Sequence, residues 1–121
     1  MISGLVRGLM PIVPLTLEDR YGRQLRFQFG VDTGFTGALS LPPADLQRLQ
    51  LAPYTEEPVV LADGSSHWCG IYRVAVYWHD VRHEIPAYGL GRVPLLGMAL
   101  LNRSRIAIDV VEGGPVSVEP L

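Results

Sequence analysis

The sequence contains no lysine. Its 10 basic residues are all arginines, scattered from Arg7 to Arg105, and they form no run. With a net charge of −2 and a pI of about 5.8, the chain lacks the clustered positive stripe that binding to phosphate backbones requires. Nucleic acid is therefore excluded as an expected partner. There is one cysteine, Cys69. A lone cysteine excludes an internal disulfide and suits a reducing, cytoplasmic setting. It is read as a small buried apolar group rather than a nucleophile. No apolar run approaches the roughly 20 residues of a membrane-spanning helix. Met1 to Leu17 is fairly apolar, but Arg7, Pro11 and Pro14 interrupt it, so it lacks the uninterrupted core of a signal peptide and reads as leading strands. His67, His79 and His83 do not stand at metal-ligand spacing with Cys69 or with nearby carboxylates. Gly89-Leu90-Gly91 lacks the third glycine and the helix of a dinucleotide site.

Turn formers and apolar residues are abundant. Hydrophobic residues make up 48% and charged residues 18% of the chain, a globular composition. Thirteen glycines and 10 prolines in 121 residues favour many short strands over long helices. The length suits one domain spanning residues 1–121. Ile12 to Leu17 reads as a strand that Pro14 pushes toward a sheet edge. From Arg23 to Val31, Leu25, Phe27, Phe29 and Val31 alternate with polar residues or glycine, the mark of a half-buried strand. Gly37 to Leu41 is a short strand. Pro42-Pro43 opens a helix of about two turns, with Leu46 and Leu49 facing inward. Glu57 to Leu61 leads into Ala62-Asp63-Gly64-Ser65, where the Asp-Gly pair signals a hairpin. The return strand, His67 to His79, sets Val74, Val76 and Trp78 on one face. His79-Asp80 is a solvated turn, Val81 to Tyr88 a further strand, and Leu95 to Leu101 a strand end running into one helical turn. Ile106, Ile108 and Val110 alternate as a strand with Asp109 outward, Gly113-Gly114 turns, and Val116 and Val118 mark the last strand. Trp68 and Tyr72 are placed either under the hairpin or in strand-face packing. The expected fold is one compact, mostly β domain with two small helices.

Three features stand in order. Asp32-Thr33-Gly34 directly follows an apolar strand. A glycine-tipped hairpin comes next. Leu95-Leu96-Gly97, an apolar pair before glycine, ends 65 residues after the aspartate (97 − 32) and precedes a helical turn. Each alone is ordinary, since Asp and Gly favour turns. Their combination in this strand order is specific.

On these residues the sequence resembles the retropepsin-like aspartic proteases, from about Leu9 to Val118. The run Phe35-Thr36-Gly37 together with Leu95 to Leu101 is most similar to their bacterial branch. The resemblance implies a mostly β acid-protease fold, a closed β-barrel-like domain with one or two short helices, in which Asp32, Thr33 and Gly34 form the catalytic loop. It implies a flap from Val60 to His67, whose Leu61, Ala62, Asp63, Gly64 and Ser65 would meet substrate along with Phe35. Such an enzyme needs no metal and no cofactor. It hydrolyses peptide bonds with a water held between two carboxylates. Because this chain has a single triplet, the second carboxylate is expected from the Asp32 of a second copy, across a two-fold axis. Thr33 would join a hydrogen-bonded grip across that axis, and Gly34 would admit the substrate backbone. The expected partners are thus a second copy and an extended peptide.

Three positions depart from the pattern. Phe35 stands where retroviral members carry a small residue and pepsin-like ones a hydroxyl. Thr36 and Met98 replace an acid–arginine pair found in retroviral members, so both charges are absent together and neither is left unpaired. Asp63 occupies a flap tip that is glycine-rich elsewhere. A fold of this kind also serves binding domains that cut nothing. The residues alone leave that alternative open, along with an adaptor domain in which Asp32 merely turns the chain.

Overall fold

The computed structural model describes all 121 residues. Ten strands and two short helices follow one another: β1 (Ile2–Arg7), β2 (Met10–Glu18), β3 (Gln24–Val31), β4 (Leu39–Leu41), α1 (Pro43–Arg48), β5 (Thr55–Val60), β6 (Ser66–Trp78), β7 (Val81–Gly89), β8 (Leu95–Leu96), α2 (Met98–Leu101), β9 (Ser104–Ile108) and β10 (Pro115–Pro120). The fold is mostly β with two short helices, as its turn-rich composition predicts. No helix is long and apolar enough to cross a membrane.

The strands pair in the order β5-β6-β7-β4-β8-β3-β2-β1-β10-β9, and β6 pairs with β2 as well. That extra contact, Thr16 opposite Tyr77 and Leu17 opposite Val76, closes a ring of six strands. The ring interior is filled from one face of each strand. Val13, Leu15 and Leu17 of β2, Phe27 and Phe29 of β3, and Val74, Val76 and Trp78 of β6 are all buried together. The period-2 alternation read from the sequence is the cause: a pleated strand sends every second side chain to the same face. Two arms leave the ring. One is the hairpin of β5 with the first half of β6, joined by Leu61 to Ser65. The other is the run β1-β10-β9.

Pro42 caps α1 and Pro43 opens it, where a missing amide donor costs nothing. Leu46 and Leu49 are buried as expected. The turn between β6 and β7 is tight and contains no glycine. His79 and Asp80 both have positive φ (49° and 64°), making a two-residue turn of the mirror type that matches strand twist.

Three expectations fail, each for a physical reason. Pro14 does not mark an edge. It lies inside β2, opposite Gln28 of β3, at the point where β2 changes its other partner from β1 (through Ile12) to β6 (from Thr16). At that gap no amide donor is needed, so proline is tolerated in a central strand. His79 is not a solvated turn residue. Its Nε2 meets Ser104 Oγ at 2.9 Å, its Nδ1 is buried with no partner, and burial lowers its pKa. Val110 is not in a strand: β9 ends at Ile108 and Val110 is 67% exposed. Cys69 is buried, and desolvation raises its thiol pKa, in keeping with an inert apolar role.

Candidate active site

Asp32 follows directly on β3, whose inward faces are locked into the core. Three chain segments converge to hold it. β3 lies parallel to β8, with Gly30 opposite Leu95 and Val31 opposite Leu96. β8 in turn lies antiparallel to β4. The Asp32 amide donates to the Leu96 carbonyl at 2.9 Å, and the Gly97 amide donates to the Ala38 carbonyl at 2.9 Å. The Met98 amide donates to the Phe35 carbonyl at 2.8 Å, and the Ala99 amide to the Gly37 carbonyl at 3.2 Å. The loop after Asp32 is therefore tied to the start of α2 by backbone bonds. No side-chain ion pair is needed there, which is why Thr36 and Met98 can stand in place of charges.

Gly97 makes this approach possible. A Cβ at that position would sit 2.4 Å from the Gly37 carbonyl oxygen and 2.5 Å from that of Phe35. Only glycine lets the two loops interlock. Within the loop, the Gly34 amide donates to Asp32 Oδ1 at 3.0 Å and the Phe35 amide to the Asp32 carbonyl at 3.1 Å. One oxygen of the carboxylate is thus oriented by a backbone donor. Asp32 is half-buried, and Thr33 and Gly34 beside it are exposed.

Asp32 opens into a cleft of about 510 Å³. Its walls are Phe35, Thr36 and Gly37 from the loop, Ser40 of β4, Leu95 of β8, Tyr88 and Leu90 at the end of β7, and Val59, Val60, Leu61 and Ala62 of the hairpin. Asp32 is the one carboxylate in that lining, and no basic side chain joins it. Of the residues singled out from the sequence, Asp32, Gly34, Phe35, Leu61 and Ala62 come together at the cleft. Thr33 does not line it, and neither do Asp63, Gly64 and Ser65. These last three form the outer tip of the hairpin. Gly64 has φ +84°, its amide donates to the Leu61 carbonyl at 2.9 Å, and the Leu61 amide donates to the Ser65 carbonyl at 2.8 Å. Asp63 Oδ1 accepts hydrogen bonds from both the Ser65 amide and the Ser65 hydroxyl, which lower its pKa. Trp68 neither packs in the core nor lines the cleft, being 73% exposed.

Sequence reading missed Thr36, Gly37, Ser40, Val59, Tyr88, Leu90 and Leu95 as lining residues. Ser40 carried a faint sign, a polar residue between two leucines that are both fully buried; its hydroxyl donates to the Leu90 carbonyl at 3.0 Å. Tyr88 arrives through the parallel pairing of β4 with β7, which local pattern does not reveal.

No protein-family model matches the chain, and neither does any curated protein. Among solved structures, the chain is similar to the crystal structure of a retropepsin-like aspartic protease from Rickettsia conorii. The TM-score is 0.55 and the identity 19%, over 98% of this chain and 90% of that one. That likeness shows a shared fold.

Proposed function

We propose that this chain is an aspartic endopeptidase of the bacterial retropepsin-like kind, active as a homodimer whose two Asp32 carboxylates form the catalytic pair. One observation carries the reading: Asp32 is fixed by interlocked backbone bonds in a cleft roofed by a hairpin, and it is the one carboxylate lining that cleft. A single acid cannot both take a proton from water and give one to a carbonyl in the same step. Two can, when they share one proton. Two like charges at close range do not both ionise, so one member stays protonated while the other is a base.

The chemistry is then balanced as follows. The ionised carboxylate takes a proton from the bound water while the water oxygen bonds to the peptide carbonyl carbon. The protonated carboxylate gives its proton to the carbonyl oxygen. Collapse of the tetrahedral species breaks the C–N bond: the carboxyl that took the water proton gives it to the leaving amine, and a hydroxyl of the gem-diol returns its proton to the other carboxylate, restoring the pair. The titrations belong to the pair, not to either residue. Thr33 and Gly34 are exposed, and in this reading Thr33 joins a grip across the axis while Gly34 meets the substrate backbone. Leu61 to Ser65 would descend on an extended peptide, offering backbone groups as an added strand does. Within the arm β1-β10-β9, β9 has a free edge. The bonds from Leu121 N–H to Arg103 and from Asp109 N–H to Pro115 set the ladder phase, which turns the amides of Ser104, Ile106 and Ile108 away from β10. A free edge suits pairing with a second chain. Buried, unpaired Cys69 suits a reducing cytoplasmic setting.

The test is incubation with a mixed peptide library at mildly acidic pH. Wild type should cleave, and Asp32→Asn should lose at least about a hundredfold of that rate. Equal inactivity of the two, with peptide binding retained, would instead make the chain a peptide-binding domain on this fold.

A further inference from the structure

Phe35 is held more firmly than a cleft-lining side chain has to be. Its amide donates to the Asp32 carbonyl and its own carbonyl accepts from Met98. Its ring lies in a slot cut by two glycines. A Cβ on Gly37 would come 2.6 Å from ring atom Cζ, and a Cβ on Gly97 would come 2.6 Å from Cδ2. Tyr88 closes the slot edge-on, with ring centroids 6.0 Å apart at 66°, an arrangement that attracts rather than merely touches. Tyr88 also crowds Gly37, at 3.0 Å from the same hypothetical Cβ. The ring nonetheless remains half-exposed and forms part of the cleft wall beside Asp32.

We propose that Phe35, braced by Tyr88 and the two glycines, is a specificity-determining wall. It limits the peptide side chain placed beside Asp32 to a small, non-acidic one, of the size of Gly, Ala or Ser, in preference to Leu or Phe. This rests on the proteolytic reading of the site for its substrate, an extended peptide, but not for its steric logic. A mobile ring would yield to a bulky side chain; a ring in a slot cannot yield without displacing backbone. Apolar pockets discriminate by roughly tenfold or more for each methylene they cannot fit. The absence of any basic lining side chain leaves an acidic substrate residue there without a partner, beside the like charge of Asp32.

The experiment is a positional-scanning peptide library, read in two ways on Phe35→Ala, Phe35→Leu and the unaltered chain. Cleavage is measured in the active protein. Binding is measured by fluorescence anisotropy with each variant placed on Asp32→Asn. Phe35→Ala should raise the preference for Leu over Ala at one position by about tenfold or more, and leave the ranking elsewhere unchanged. Phe35→Leu, which still fills most of the slot, should fall between and serves where the alanine variant does not fold. An unchanged size ranking, or a change spread equally over all positions, overturns the inference. Absence of cleavage together with a size shift in binding would sink the proteolytic reading while sustaining the wall. Binding without any size shift would sink the wall alone.

Discussion

At the scale of single residues, the site depends on an atom that is missing. The hydrogen of Gly97 faces two carbonyl oxygens at distances where a methyl group cannot fit. Gly97→Ala must therefore part the Asp32 loop from the start of α2, stretching the bonds from Met98 and Ala99. Overpacking against backbone is expected to cost about 3 kcal/mol, measurable as a lowered midpoint in urea, with cleavage lost before folding is. Asp19 makes a separate case. It is buried, and burial alone would raise its pKa. Hydrogen bonds from the Arg23 and Tyr21 amides and from the Arg23 side chain more than offset this, and the carboxyl lies below its ordinary value of 3.8. A carboxyl depressed in the folded state contributes stability in full above its unfolded value. That contribution is lost as pH falls through the lower folded value. Asp19→Asn should thus be less stable than wild type near neutrality, and the gap between their melting temperatures should narrow below about pH 4.

Among the elements, the hairpin over the cleft is the one most exposed to solvent and most dependent on turn chemistry. Gly64 adopts a φ of +84° with open space around it, so a Cβ there meets no atom and costs only backbone strain. Gly64→Ala should raise the free energy of the hairpin by roughly 1 kcal/mol. Amide exchange of Leu61, bonded across the tip to Ser65, should speed up about fivefold while the ring strands keep their protection. The hydrogen bonds at the tip are directional: Ser65 Oγ gives its only proton to Asp63, so the His67 nitrogen at 2.9 Å must donate to that oxygen. This hairpin was legible in the sequence because Asp-Gly is a local signal, as were β3 and β6, whose alternation is long and clean. What was not legible depends on distant partners. β8 is two residues long and exists only because β3 and β4 flank it. Pro14 misled because its tolerance comes from a change of neighbour that only the closed ring reveals. Asp32 could be picked out from its triplet, whereas Tyr88 and Ser40 reach the cleft through a parallel register that no local pattern encodes. His79 looked like a turn residue, which it is, yet β9 comes back to place Ser104 beside it.

For the whole molecule, ring closure makes one copy a complete barrel-like circuit, whereas the proposed reading makes it half a site. The six-strand circuit pairs its own edges and buries one core within a single chain, while the proposed chemistry calls for a second carboxylate. A mixing experiment tests that requirement. If each copy worked alone, replacing half of the wild-type protein with Asp32→Asn would leave about half the activity per total protein. If activity belongs to the pair and subunits exchange freely, random association leaves about a quarter of the assemblies with two carboxylates. Mixed pairs hold an aspartate against an asparagine and lack the shared proton, so they add nothing. The rate should therefore follow the square of the wild-type fraction, and the curvature should disappear when the two proteins are assayed before their subunits have exchanged. A straight line at full exchange would place both catalytic roles within a single chain, and Asp32 would then need a partner other than its own twin.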